Sequence, residues 1–196
     1  MIGVLVFPRF QLLDAAGPIS VFEIATRYAG VPPSITVLAE TPGPVRSSSG
    51  VEMLAFLRRQ AEGAKYVTSV CTGSLVLGAA GLLKGYRAAT HWTAMDFLKE
   101  FGATPTHTRV CIDRNRITGG GVTAGIDFAL TLVSHLVDRR TAEAIQLRIE
   151  YNPAPPFNAG SPDTAPAEIV ALFRERIAPS QARRGEMIKR AAARLA

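Results

Sequence analysis

The chain has 196 residues, enough for one domain with a substantial core. Hydrophobic residues make up 47% and charged residues 19%, which excludes intrinsic disorder. The net charge of +6 gathers late, at Arg174, Arg176, Arg183, Arg184, Lys189, Arg190 and Arg194, spaced among Ala, Ile and Leu as on the solvated face of helices rather than in a nucleic-acid patch.

Ile2 to Phe7 is a short apolar, β-branched run and reads as a fully buried strand. It is too short for a signal-peptide core and no later run could span a bilayer, so a cytoplasmic protein without membrane association is expected. Phe10 to Asp14 reads as a loop. Gly17-Pro18 opens a helix that runs to about Tyr28 and is ended by Gly30 to Pro33. Ile35 to Ala39 is a second strand, followed by a polar, turn-rich connection from Thr41 to Gly50. Glu52 to Ala61 is a helix closed by Gly63. Lys65 to Val70 is the next strand, and from Thr72 the chain turns helical again. This alternation predicts a mostly parallel central sheet covered by helices on both faces.

Thr93 to Phe101 reads as a helix. Thr106–Cys111 and Arg116–Thr118 flank Asp113-Arg114-Asn115 as a hairpin. Gly119-Gly120-Gly121 precedes a long apolar helix, Val122 to Leu136, and Thr141 to Tyr151 forms another that Asn152 to Phe157 breaks. Two terminal helices, near 165–177 and 180–195, finish a chain read as a single domain over 1–196.

Two cysteines, Cys71 and Cys111, are too few for a disulfide framework or a cysteine-based zinc site. Cys111 sits in an alternating strand pattern and reads as packing. Cys71 sits where a strand ends and a helix begins. At such an elbow a side chain is pushed out at the carboxyl edge of the sheet. The helix N-terminus offers free N–H groups and partial positive charge, which predicts a depressed thiol pKa and a place for an anion. Gly73 and Ser74 are small enough to let the turn close. His91, before Trp92, could approach the same edge or serve as a structural hydrogen-bonder. His107 and His135 have no partners at metal-ligand spacing, so no metal is expected. The triple glycine lacks the lysine and spacing of a phosphate loop and reads as a tight turn bringing backbone to the site. Thr123 and Gly125 follow it.

Tyr66 to Leu83, Thr90-His91-Trp92 and Ile117 to Asp127 resemble the nucleophile region and flanking motifs of the ThiJ/PfpI superfamily. Glu150-Tyr151 with Pro153 to Pro162 resembles its isocyanide hydratase branch. The resemblance implies a flavodoxin-like three-layer α/β sandwich, a homodimer, no cofactor, and a small-molecule isocyanide substrate hydrated to an N-substituted formamide. It places Cys71 on the nucleophile, Asp14 on its acidic partner and Thr72 on the neighbour of the nucleophile. Gly73, Gly120 and Thr123 are the expected substrate-binding positions. Asp14 would carry protons, with a raised pKa beside the sulfur in a poorly hydrated site; as a residue alone it equally fits a first-turn helix position.

One departure stands out. After Gly50 the superfamily continues through a strand and a Pro-Gly-Gly loop, whereas here Val51-Glu52-Met53 follows at once. A numbering that skips residues, a deletion, and replacement by another segment all account for it. The first is expected, because loss of a central strand would expose the edges of its neighbours. Other thiol chemistry on this fold, of glyoxalase, deglycase or peptidase type, is the runner-up. A ligand-sensing regulator is disfavoured, since about 35 residues follow Ser161, too few for paired helix-turn-helix motifs.

Overall fold

The computed structural model describes residues 1–6, 10–29, 35–38 and 50–195, and of residues 27–29 and 50–52 only the backbone. The expected helix end at Gly30 to Pro33 and the connection from Thr41 to Ser49 lie outside the described residues.

Seven short strands form: β1 (Ile2–Leu5), β2 (Ile35–Leu38), β3 (Val67–Ser69), β4 (Arg87–Ala88), β5 (Thr104–Pro105), β6 (Val110–Asp113) and β7 (Arg116–Gly119). β1 and β2 pair in parallel with Ile2 opposite Ile35. β3 and β7 pair in parallel with Thr68 opposite Ile117, and β6 joins β7 antiparallel. The β6–β7 hairpin turns through Arg114, whose φ of 54° gives the left-handed backbone that two-residue hairpins need. β4 and β5 form a small parallel pair. They are too short to leave an alternation that the sequence reading could catch. Among the described residues, one edge of β1 and one edge of β3 carry no neighbouring strand.

Helices cover both faces, the sandwich expected of a flavodoxin-like chain. On one face α1 (Leu12–Ala29), α4 (Ala124–Leu136) and α5 (Arg139–Arg148) pack around Val21, Phe22, Ile117, Phe128 and Ile145. Gly17 and Gly125 let α1 and α4 approach: a Cβ at Gly17 would stand 3.1 Å from Ile126, and one at Gly125 would stand 3.3 Å from Pro18. On the other face α2 (Gly50–Gly63), α3 (Gly73–Ala79), a 3-10 helix (Trp92–Phe101) and α6 (Ala167–Ala192) enclose Leu75, Leu83, Leu98, Phe101 and Ile188. The 3-10 helix starts on His91, whose ring accepts the Thr93 N–H, and ends on Gly102 in the left-handed region.

Three expectations are corrected. β1 is only partly buried among the described residues. α1 begins at Leu12 rather than Gly17, which moves Asp14 from a loop into the first helical turn and leaves Pro18 in the interior. Pro18 has no N–H for the Asp14 carbonyl, a loss tolerated this close to the helix start. The two terminal helices are one, α6, which continues through Pro179. The basic residues of α6 are solvent-exposed apart from half-buried Arg184.

Candidate functional site

β3 delivers the chain to Cys71 and α3 leaves from Gly73, so the elbow is two residues long. Cys71 has a φ of 54°, a left-handed conformation that costs a non-glycine residue about 1–2 kcal/mol. Its surroundings hold it there. The Cys71 N–H donates to the carbonyls of Gly119 (3.1 Å) and Gly120 (2.9 Å). The Thr90 hydroxyl donates to the Cys71 carbonyl at 2.8 Å. Ser74, fully buried, bridges the Ser69 hydroxyl (2.7 Å) and the Ala89 carbonyl (2.6 Å), while the Ala89 N–H donates to the Thr118 hydroxyl (2.8 Å). Ser74, Thr90 and Thr118 lock β3, β7 and the following loop around the elbow. Sequence reading missed Thr90 and Thr118 in this role, because their partners lie far along the chain.

Cys71 is buried, and its thiol is pushed up to about 11, first by burial and then by the charge of Asp14. The Thr72 N–H and hydroxyl act the other way, as donors to the sulfur. The expected depression of the thiol is therefore corrected: loss of hydration and a nearby carboxylate outweigh the helix N-terminus. Asp14 hydrogen-bonds Cys71, and its own pKa is raised by burial, as expected. Its Oδ1 is buried with no hydrogen-bond partner among the described residues. With its pKa at about 11 the Cys71 thiol keeps its proton at neutral pH, beside the Asp14 carboxyl.

The other expected site residues are placed as follows. Thr72 lies against the sulfur. The Gly73 N–H is taken by the Val70 carbonyl at 3.0 Å. Gly120 is fully engaged: its carbonyl accepts from Cys71 and its N–H donates to Arg109, and a Cβ would stand 3.1 Å from the Thr108 carbonyl. Thr123 is exposed, its hydroxyl accepting from Arg109, which also pairs with Asp127; Tyr151 donates to the same carboxylate. His91 caps the 3-10 helix, bonds the Thr93 hydroxyl at 2.8 Å, and is held toward its neutral form by burial and by Arg184. Cys111 is buried within β6. Among the described residues, no cluster of three His, Cys, Asp or Glu could hold a metal, and no helix is long and apolar enough to cross a membrane.

A cavity of about 570 Å³ reaches the same edge of the sheet, with Asp14, Ser69, Val70 and Gly73 in its wall.

Residues 41–135 match the DJ-1/PfpI family. The isonitrile hydratase of Pseudomonas putida is 46% identical over 226 residues, spanning 99% of this chain and 97% of its own length. A ThiJ/PfpI family protein from Pseudomonas syringae superposes with a TM-score of 0.85 at 39% identity, over 97% of this chain and 89% of that one. The HTH-type transcriptional regulator GbdR of Pseudomonas aeruginosa is 40% identical over 102 residues, 51% of this chain and 28% of the regulator. The 226 aligned positions exceed the 196 residues of the chain by 30. The sequence is continuous past Gly50, so the expected numbering gap is corrected. Among the described residues β1 and β3 each carry an edge with no neighbouring strand, with helices closing over both faces.

Proposed function

The chain belongs to the DJ-1/PfpI family, and from that premise we propose that it hydrates organic isocyanides to N-substituted formamides. The observation that carries this reading is the Cys71–Asp14 pair, a thiol hydrogen-bonded to a buried carboxyl at a strained elbow. An isocyanide carbon must gain both a nucleophile and a proton, and this pair supplies one of each.

In the first step the Cys71 sulfur bonds to the isocyanide carbon as its proton passes through Asp14 to that same carbon, giving a thioimidate, R–N=CH–S–Cys71. Asp14, again a carboxylate, then takes a proton from water as its oxygen adds to the carbon, and passes that proton to nitrogen. Collapse of the adduct breaks the C–S bond. The hydroxyl proton goes to sulfur, and R–NH–CHO leaves. Thr72 donates to the sulfur as negative charge returns to it. No external oxidant, reductant or cofactor enters this balance.

A raised thiol pKa suits this chemistry, since a free thiolate would arrive without the proton that the carbon needs. Formamide production from an alkyl or aryl isocyanide tests the reading, with Cys71→Ala as the control. Turnover surviving in Cys71→Ala would overturn it, and turnover of methylglyoxal in place of isocyanide would point to the runner-up chemistry. The protein acts in the cytoplasm as a homodimer in this reading. Exposed Ile169, Leu172 and Phe173 on one face of α6 support a second copy, and sedimentation velocity showing a concentration-independent monomer would rule it out.

A further inference from the structure

We propose that Thr90 is a positioning residue for the nucleophile: its hydroxyl fixes the peptide unit that joins Cys71 to Thr72, and so aims the Thr72 N–H at the Cys71 sulfur. The two peptide units that flank Cys71 set its left-handed backbone, with a φ of 54°. The unit before it is held through the Cys71 N–H, which donates to the Gly119 and Gly120 carbonyls at 3.1 and 2.9 Å. The unit after it is held through the Cys71 carbonyl, which accepts from the Thr90 hydroxyl at 2.8 Å. A peptide unit is planar, so its carbonyl and its N–H turn together. The bond from Thr90 therefore also orients the Thr72 N–H, a donor to the sulfur. It strengthens that donor as well, because a hydrogen bond at the carbonyl oxygen polarises the whole amide. Of these three contacts to the elbow backbone, only this one comes from a side chain, so substitution can remove it.

Thr90 is itself firmly placed. It is buried, and Ala89 before it is pinned at both backbone groups: its N–H donates to the Thr118 hydroxyl at 2.8 Å and its carbonyl accepts from Ser74 at 2.6 Å. His91 after it anchors the 3-10 helix, and a Cβ at Gly121 would stand 3.3 Å from the His91 ring. A hydroxyl held from both neighbours can keep a strained residue within the tolerance that chemistry needs.

A hydroxyl that only packs the loop and one that aims a donor predict opposite signs. In the first case its loss loosens the elbow and lets water reach the sulfur. The thiol then ionises more easily, because burial is the first cause that holds its pKa up. In the second case its loss takes a donor from the sulfur, while Asp14 of α1, the charged group that faces it, stays in place. The thiol then ionises less easily. The consequence for turnover rests on the hydration reading above, in which the same N–H steadies the charge that returns to sulfur as the C–S bond breaks.

The test is Thr90→Val in the full chain, which keeps the side-chain shape and removes the hydroxyl. Alkylation of Cys71 by iodoacetamide should slow about three- to tenfold at pH 8, with its pH profile displaced to higher pH. Hydration should lose roughly tenfold or more in kcat with KM little changed. Thr90→Ser, which returns the hydroxyl, should recover both rates to within about threefold of the wild type. Thr90→Ala repeats the comparison with a smaller side chain if valine prevents folding. Alkylation that is unchanged or faster in the folded variant, or that stays slow in Thr90→Ser, would overturn the proposal. Alkylation uses no isocyanide, so a wild type that hydrates none would sink the hydration reading and leave the alkylation rates to judge Thr90 alone.

Discussion

At the scale of residues, burial raises the pKa of both Cys71 and Asp14, the Asp14 charge lifts the thiol further, and each effect has a sign that can be tested. The Asp14 charge is the second cause of the raised thiol, after burial. Asp14→Asn removes that charge, so the thiol pKa falls from about 11 and the thiolate fraction at pH 8 rises. Alkylation of Cys71 by iodoacetamide should therefore quicken in the variant. Hydration should instead slow by roughly 10²–10⁴-fold, because the proton carrier is gone. Movement of the two rates in the same direction would separate Asp14 from the proposed role. In the wild type, alkylation should climb with pH toward about 11, whereas turnover should fall at both ends. It falls at acid pH as the Asp14 carboxylate is protonated, and at alkaline pH as the Cys71 thiol loses its proton.

At the scale of elements, the apolar runs and turn residues made most of the strands and helices readable. The β6–β7 hairpin, α4 and the elbow lie where Asp113-Arg114-Asn115, the triple glycine and Gly73 pointed. What escaped was set by tertiary contacts. Pro18 and Pro179 read as boundaries because proline removes a helix hydrogen bond, yet packing carries α1 and α6 through both. The thiol pKa was misjudged because burial cannot be read from spacing, while the pairing of Asp14 with Cys71 followed from the resemblance. Gly78 is a further position whose meaning needs the fold. A Cβ there would stand 2.3 Å from Phe101 Cδ2 and 2.7 Å from Cγ, so Gly78 fixes how closely α3 meets the 3-10 helix. Gly78→Ala should destabilise the protein by about 1–3 kcal/mol through overpacking, read as a lower urea midpoint with an unchanged slope. An unchanged midpoint would mean that Phe101 moves aside at no cost.

At the scale of the whole molecule, the described strands fall into separate sheets. No strand described here carries hydrogen bonds from the β1–β2 pair to β3–β7–β6; the packing of α1 on α4 and α5 joins them. A continuous sheet passes unfolding from strand to strand, which is what makes small domains melt as one unit. Among the described residues that relay is cut, and β1, α1 and β2 are tied to the rest through helix packing. Cooperativity should suffer accordingly. Denaturant titration followed by amide signals of β1 and β2 should report an earlier midpoint than the same titration followed at β3 and β7, so that no single unfolding free energy describes the chain.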